Sequence, residues 1–167
     1  MLCVKNDYSL NKTIISVLML LLTIMPAEHS VGAVIYREGK YLLLYKKAHG
    51  IYREGWYLVR GLIEEGEEIE DTVRREIEEE TGIKDLFFVK GFKETTKWFY
   101  RNDKKETVFK TAVYLFAETK TEKVKLSEEH DDYAWLDFTH SVQKLRFVND
   151  REVLRKADKF IELMKRI

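Results

Sequence analysis

The stretch from Gly61 to Ile83, GLIEEGEEIEDTVRREIEEETGI, carries the strongest structural signal in the chain. Its second half predicts a helix from Ile69 to Thr81. Gly82 is expected to end this helix, because glycine readily adopts the left-handed conformation that follows a helix. The segment is therefore expected to form a loop followed by a helix.

Two glutamates of this helix fall on the side that should be buried. At about 100° per residue, one apolar stripe is formed by Ile69, Val73 and Ile77. Glu76 and Glu80 lie inside this stripe, and Glu79 lies on its edge. A buried carboxylate is costly unless it is compensated, and hard carboxylate oxygens suit Mg²⁺ or Mn²⁺. The helix therefore predicts a divalent-metal site, the alternative being a helix rolled so that these glutamates are solvated.

The acidic charge of the chain is concentrated in the same segment. Residues 61–82 hold ten acidic residues and two arginines, a net charge of −8. The chain of 167 residues has 29 basic and 29 acidic residues, so the remainder carries +8. This favours cation binding beside anion binding, although a solvated acidic helix would give the same pattern. The overall neutrality gives no attraction to nucleic acid, and no DNA partner is expected.

The composition is that of one ordinary globular domain. The chain is 45% hydrophobic and 13% aromatic, enough for a sizeable core. Cys3 is the only cysteine, so no internal disulfide can form, which favours a reducing compartment. We therefore expect a cytoplasmic protein.

Residues 1–27 stand apart from the rest as an apolar extension. The run from Ile14 to Met25 is too short to span a bilayer, which needs about 20 residues. It is either an extension upstream of a true start at Met25, a packed accessory helix, or a targeting segment. Membrane contact is expected only if this segment inserts, and residues 28–167 are assigned to one folded domain.

The remaining elements alternate between strands and helices. The predicted strands are Val31–Tyr36, Tyr41–Tyr45, Trp56–Val59, Leu86–Val89, Lys93–Tyr100, Thr107–Glu118 and Tyr133–Leu136. A final helix is predicted to follow Asn149 as its N-cap residue. This order argues for one α/β (α+β) domain with a mixed sheet.

The residues from Gly61 onward also match a known motif. Gly61, Glu67 and the string from Arg75 to Ile83 agree with G-x5-E-x7-R-E-U-x-E-E-x-G-U, where U is aliphatic, at all nine specified positions. This is the signature of the Nudix hydrolases, and the chain resembles that family. The resemblance implies an α/β/α sandwich around a mixed sheet and cleavage of a phosphoanhydride bond with Mg²⁺ or Mn²⁺.

The resemblance also assigns roles within the motif. It implies that Glu76, Glu79 and Glu80 bind the metal, with the Gly61 carbonyl as a further ligand. It makes Arg75 and Glu67 the pair that holds the motif together, and Gly82 its closing turn.

Outside the motif the chain is most similar to the asymmetric diadenosine tetraphosphate hydrolases. Arg60 stands where they have a lysine before the glycine, and is expected to bind phosphate together with Lys46 and Lys47. The stretch around Leu126–Trp135 is similar to their Leu-Ser-x-Glu-His segment and makes Glu129 an extra acidic residue of the site. The same similarity predicts that Tyr114 lines the phosphate path and that Tyr133 or Phe147 stacks on adenine.

The expected reaction is asymmetric hydrolysis of diadenosine tetraphosphate to ATP and AMP. The general base is Glu76, Glu80 or Glu129, and these residues do not decide which. Rival substrates are oxidised or non-standard nucleoside triphosphates, ADP-ribose and 5′-triphosphate RNA. Two other classes stay open, an inactive nucleotide-binding regulator and a membrane-tethered interaction module. The oligomeric state is not encoded in any of these features.

Overall fold

A computed structural model describes residues 12, 14–16, 25–50 and 53–166. Most of the predictions for residues 1–27 therefore lie outside the described residues. The described part of that segment includes Ile14 and Ile15, which are exposed and have helical backbone. None of the described helices is both long and apolar enough to cross a membrane.

The seven strands form one mixed sheet. They are β1 (Ala27–Arg37), β2 (Lys40–Lys46), β3 (Gly55–Tyr57), β4 (Val59–Leu62), β5 (Phe87–Arg101), β6 (Thr107–Glu118) and β7 (Asp132–Leu136). Five of them follow the order β3-β2-β1-β6-β5, while β4 also pairs with β1 and β7 with β2. Strands β1 and β6 are parallel, with Ala27 opposite Phe109, and the other pairings are antiparallel.

Helices cover both faces of this sheet. The helices that lie wholly within the described residues are α1 (Ile69–Thr81), α2 (Phe138–Lys144) and α3 (Val148–Met164). One buried cluster joins the sheet to α1 through Val73 and Ile77, and another joins it to α3 through Leu154 and Ala157. The expected α/β/α sandwich around a mixed sheet is confirmed.

The central helix follows its sequence pattern. It spans Ile69–Thr81, as predicted, and Gly82 ends it with φ 70° while its N–H donates to the Glu78 carbonyl at 2.8 Å. Glu80 is buried along with the apolar stripe, whereas Glu79 is exposed. The predicted placement of carboxylates inside the stripe and on its edge is confirmed.

Three strand predictions were wrong in their extent, and the first strand begins at Ala27, four residues before the predicted start at Val31. The segment from Trp56 to Val59 is not one strand, because the chain leaves the β2 edge after Tyr57 and then pairs with β1 from Val59 onward. The short strand at Leu86–Val89 belongs to the long strand β5. A register shift between Phe88 and Lys93 interrupts its pairing with β6.

The C-terminal helices also differ from the prediction. Asn149 does not cap the last helix, which begins at Val148 with Phe147 in the N-cap position and no capping side chain. Helix α2 was not predicted, because its seven residues show no clear apolar period. The Asp137 carboxylate stabilises its start by accepting a hydrogen bond from the His140 N–H at 2.9 Å.

Candidate active site

The site begins where strand β4 leads into the acidic loop and α1. A Cβ atom built on Gly61 would overlap the Glu76 carboxylate, so the absence of a side chain at position 61 lets the two groups meet. The pairing of Val31 with Gly61 fixes this part of β4 against the centre of the sheet. Glu76 is thereby packed directly over the β4 backbone, on the α1 face.

A charged clamp holds the loop to the helix. The Arg75 guanidinium donates to both oxygens of Glu67, from Nε at 2.7 Å and from Nη2 at 2.9 Å. Glu67 also accepts from the Thr72 hydroxyl and from the Glu64 N–H. The hydrogen bonds from Arg75 lower the pKa of Glu67 to about 2. This geometry agrees with the role expected for the pair, since it joins the end of the loop to the middle of α1.

The same arginine touches two of the proposed metal ligands. Its Nη1 donates to Glu76 at 2.8 Å and to Glu79 at 3.2 Å. Burial raises the pKa of Glu76, although the hydrogen bond from Arg75 acts against this rise. Arg75 therefore neutralises part of the negative charge that gathers along this side of α1.

Glu80 has no comparable partner. It is only 9% exposed, and its Oε2 atom is buried without a hydrogen bond in the described part of the chain. Burial, reinforced by the charges of Glu76 and Glu129, raises the pKa of Glu80 to about 8. The site therefore holds a carboxylate whose ionised form lacks compensation from its surroundings.

Glu129 approaches this cluster from the loop that precedes β7. Two backbone hydrogen bonds tie that loop to the end of the helix, from Lys125 to the Thr81 carbonyl and from Ser127 to the Glu80 carbonyl. The Glu129 side chain is 72% exposed and lies 3.4 Å from Nζ of Lys46. The fold thus brings Glu129 and Lys46, which are far apart in the sequence, to one end of α1.

The donor set fits a hard divalent cation in its chemistry. Carboxylates predominate, one buried oxygen lacks a partner, and like charges adjoin it. Among the described residues, no three His, Cys, Asp or Glu side chains already surround one point as metal ligands. Glu76 and Glu79 instead contact Arg75. A cation would supply the positive charge that Glu80 lacks.

Arg60 lies on the opposite face of β4 from the Glu76 contact, within a buried polar group. Its Nη1 donates to the Tyr114 hydroxyl at 2.8 Å and to Asp150 Oδ1 at 3.1 Å. Its guanidinium carbon lies 5.9 Å from the ring centre of Tyr57 and 5.4 Å from that of Trp98. The Arg60 side chain remains 20% exposed, whereas Asp150 is 1% exposed. Arg60 is therefore fixed from several sides while keeping a solvent-facing part.

The other predicted substrate residues occupy different positions. Tyr114 is completely buried, and its hydroxyl accepts a hydrogen bond from the partly exposed Arg60. Phe147 is 37% exposed, and its ring centre lies 5.6 Å from that of Tyr57. Tyr133 is half-buried against the core on the α1 side. Lys47 is exposed and paired with Asp131 at 3.3 Å. The structure thus brings Phe147 and Arg60 into one neighbourhood around Tyr57 and leaves Tyr133 outside it.

Sequence reasoning missed three residues of the Arg60 group: Tyr57, Trp98 and Asp150. Asp150 carried a detectable signal. It precedes Val153 by three positions and Leu154 by four, so it lies on the buried stripe of α3. A carboxylate inside an apolar stripe was the same signal that identified Glu76 and Glu80.

Comparisons with known proteins agree with this geometry. The family model described as the NUDIX domain matches residues 27–157. The chain therefore belongs to the Nudix family, whose hydrolases act on phosphoanhydride bonds of nucleotides.

Individual relatives are found both among proteins of assigned activity and among solved structures. The asymmetrical bis(5′-nucleosyl)-tetraphosphatase of Mus musculus is 30% identical over 123 residues, covering 71% of this chain and 79% of the relative. The nucleoside triphosphatase NudI of Escherichia coli is 33% identical over 114 residues, covering 62% and 77%. The crystal structure of a C. elegans Ap4A hydrolase binary complex superposes with a TM-score of 0.68 and 26% identity. It covers 81% of this chain and 98% of that one.

Proposed function

We propose that this protein is a Mg²⁺-dependent hydrolase that splits dinucleoside polyphosphates asymmetrically, with diadenosine tetraphosphate giving ATP and AMP. The observation that carries the proposal is the placement of Arg60, a fixed cation surrounded by the aromatic rings of Tyr57 and Trp98. A long dinucleotide needs both a phosphate clamp and a surface on which a base can stack. The similarity to the mouse tetraphosphatase and the C. elegans hydrolase supports the same choice.

The acidic groups around α1 are proposed to hold the metal. Glu79 and Glu80 would be the main ligands, with Glu76, the Gly61 carbonyl and Glu129 as further oxygen donors. Bound Mg²⁺ supplies positive charge that stabilises the phosphoryl group during in-line displacement. Without such a cation, the negative field of these carboxylates would repel a polyphosphate.

The chain's own residues supply proton transfer and substrate binding. One carboxylate takes a proton from water while the water oxygen forms a bond to phosphorus and the bridging P–O bond breaks. Glu76, Glu80 or Glu129 would be the proton acceptor, since the charges of all three act on one another at one end of α1. Arg60 and Lys46 would bind the distal phosphates, and Phe147 would stack on a base.

Product analysis over a panel of nucleotides tests this proposal. With Mg²⁺, diadenosine tetraphosphate should give a higher kcat/KM than ATP, dGTP or ADP-ribose, with ATP and AMP as products. Hydrolysis in ¹⁸O-enriched water should label only one product, because water attacks a single phosphorus. A modified triphosphate or ADP-ribose turned over at least about tenfold more efficiently would overturn the substrate choice, a difference of roughly 1.4 kcal/mol in the barrier.

A nucleoside triphosphate is the second candidate substrate, because NudI of E. coli is slightly more identical to this chain over a shorter match. The Arg60→Ala variant distinguishes between the two candidate substrates. If Arg60 clamps the far phosphates of a dinucleotide, its loss should lower kcat/KM for diadenosine tetraphosphate more than for ATP. The lost charge-assisted hydrogen bonds would be worth roughly 1.5–3 kcal/mol. Arg155→Ala, which removes an exposed α3 arginine paired with Glu152, is the matched control.

A further inference from the structure

We propose that Asp150 is a positioning residue that holds the Arg60 guanidinium in the orientation needed to bind a substrate phosphate. The proposal rests on the proposed function only in taking Arg60 as a phosphate ligand. Asp150 itself is completely buried and would not touch substrate. Its effect would be exerted through Arg60.

The contacts around Arg60 divide its donors into two groups. Both hydrogen bonds to Asp150 and Tyr114 use the Nη1 atom. Within the described residues, Nε and Nη2 have no hydrogen-bond acceptor, although neither is sealed from solvent. A guanidinium held by one nitrogen still offers a donor pair on another edge, and such a pair suits phosphate oxygens. The anchored nitrogen thereby fixes the direction in which the free donors point.

Three further features restrict the same group. The Tyr57 and Trp98 rings lie beside the guanidinium, and the buried Tyr114 hydroxyl connects Arg60 to Asp150 with hydrogen bonds of 2.8 Å and 3.1 Å. A long arginine side chain ordinarily loses rotamer freedom when it binds a ligand. Because Arg60 is already ordered in the free protein, phosphate binding does not incur this entropy cost.

The location of Asp150 explains why this anchor is firm. It lies in the first turn of α3, next to the core residues Val153 and Leu154. Its carboxylate cannot move to solvent without disturbing the helix that covers this face of the sheet. A fixed carboxylate of this kind distinguishes Arg60 from a surface arginine that a mobile acid would pair with only part of the time.

Binding of tripolyphosphate with Mg²⁺, measured by calorimetry, tests the inference without requiring any dinucleotide activity. Asp150→Asn should weaken binding at least about tenfold, since the oriented charge-assisted bonds to phosphate are lost. The same substitution should have no further effect in an Arg60→Ala background, because Asp150 acts through Arg60. With a hydrolysed nucleotide, Asp150→Asn should raise KM and leave kcat nearly unchanged.

Asp158→Asn is the matched control, because Asp158 also lies on α3 and accepts a hydrogen bond from a tyrosine, Tyr41, at 2.7 Å. It should leave tripolyphosphate affinity unchanged. Arg60→Lys provides a second variant should Asp150→Asn fold poorly. A lysine ammonium paired with Asp150 keeps the positive charge but lacks the second donor edge, so the affinity of Arg60→Lys should fall below that of the wild type and stay above that of Arg60→Ala.

Three outcomes would overturn the positioning role. Tighter binding by Asp150→Asn would mean that Asp150 competes with phosphate for Arg60. An equal loss in the presence and absence of Arg60 would mean that Asp150 only supports α3. Failure of the wild-type protein to bind tripolyphosphate, or binding insensitive to Arg60→Ala, would remove the phosphate ligand on which the idea depends. If these binding effects are observed but diadenosine tetraphosphate is not hydrolysed, the proposed substrate is wrong and the positioning role of Asp150 stands.

Discussion

Glu80 combines burial with negatively charged neighbours, and this combination sets what its replacement should do. Its carboxylate is nearly enclosed, one oxygen lacks a partner, and Glu76 and Glu129 repel its charge. Such a group destabilises the metal-free fold when ionised. It is retained at a cost to stability, which is the pattern expected of a residue that serves a ligand.

Replacing the two main proposed metal ligands tests this interpretation. Glu79→Gln and Glu80→Gln should each lower kcat at least about 10²-fold, because a neutral amide is a poor ligand for the cation that stabilises the transition state. Metal-free Glu80→Gln should nevertheless unfold at the same or a higher temperature than the wild type. Steady-state kinetics with Mg²⁺ and thermal unfolding with chelator measure the two effects.

Glu78→Gln is the control at the same helix. Glu78 is exposed and pairs with Lys84 at 2.7 Å, away from the buried stripe. The Glu78→Gln variant should turn over substrate at the same rate as the wild type. Near-normal turnover in Glu79→Gln or Glu80→Gln would contradict the metal assignment.

At the scale of elements, the acidic loop and α1 are joined by the bidentate contact between Glu67 and Arg75. The pKa of Glu67 lies at about 2, below its ordinary value of 4.5, mainly because of the hydrogen bonds from Arg75. The stabilisation from ionised Glu67 is therefore fully present above about pH 4.5. It is lost as the pH falls through about 2.

The free energy of unfolding of the wild type and of Glu67→Gln, compared across this pH range, measures how much the contact between Glu67 and Arg75 stabilises the fold. The wild type should be the more stable at pH 5 to 7, and the difference should shrink steadily toward pH 2. Glu65→Gln, a change at an exposed position of the same loop, should show a small difference throughout. A Glu67→Gln deficit that persists unchanged at pH 2 would mean that the charge of Glu67 is not what holds the loop.

The elements also show what the sequence could and could not predict. Helix α1 was predictable to the residue because its apolar stripe and its terminal Gly82 gave the same boundaries. Helix α3 was misplaced by the assumption that Asn149 caps it, whereas tertiary packing sets its start without a capping side chain. The division between β3 and β4 follows from a change of pairing partner at Leu58, which local residue preferences do not encode.

The same distinction applies to the site. The carboxylates of α1 were recognised because their spacing is local and matches a family motif. The contact between Arg60 and Asp150 joins residues 90 positions apart, so no local pattern could predict it. The buried state of Tyr114 likewise depends on α3 packing over β6.

For the whole molecule, the first sheet contact within the described residues is made at Pro26. The Pro26 carbonyl accepts a hydrogen bond from the Phe109 N–H at 2.9 Å, and β1 starts at Ala27. A chain that begins at Met25 keeps this contact and every strand of the described part of the chain. We therefore expect it to fold and to retain full activity.

Thermal unfolding and turnover of this truncated chain should match those of the full-length protein. A further truncation that removes Pro26 and Ala27 is the comparison that should lose stability. If the chain from Met25 is insoluble or inactive, the segment from Ile14 onward belongs to the core or to the active assembly.

The parallel pairing of β1 with β6 has a consequence for how the protein is made. Ala27 lies opposite Phe109 and Tyr36 opposite Glu118, so the earliest strand is completed by one synthesised much later. Until that strand leaves the ribosome, β1 can pair only with β2 and β4 along one edge, and α1 can cover only one of its faces. Joining strands so distant in sequence also carries a large loop-closure cost, which slows folding. Until β6 is made, the nascent chain therefore carries its central strand with one edge unpaired, and an unpaired strand edge is prone to pair with other chains.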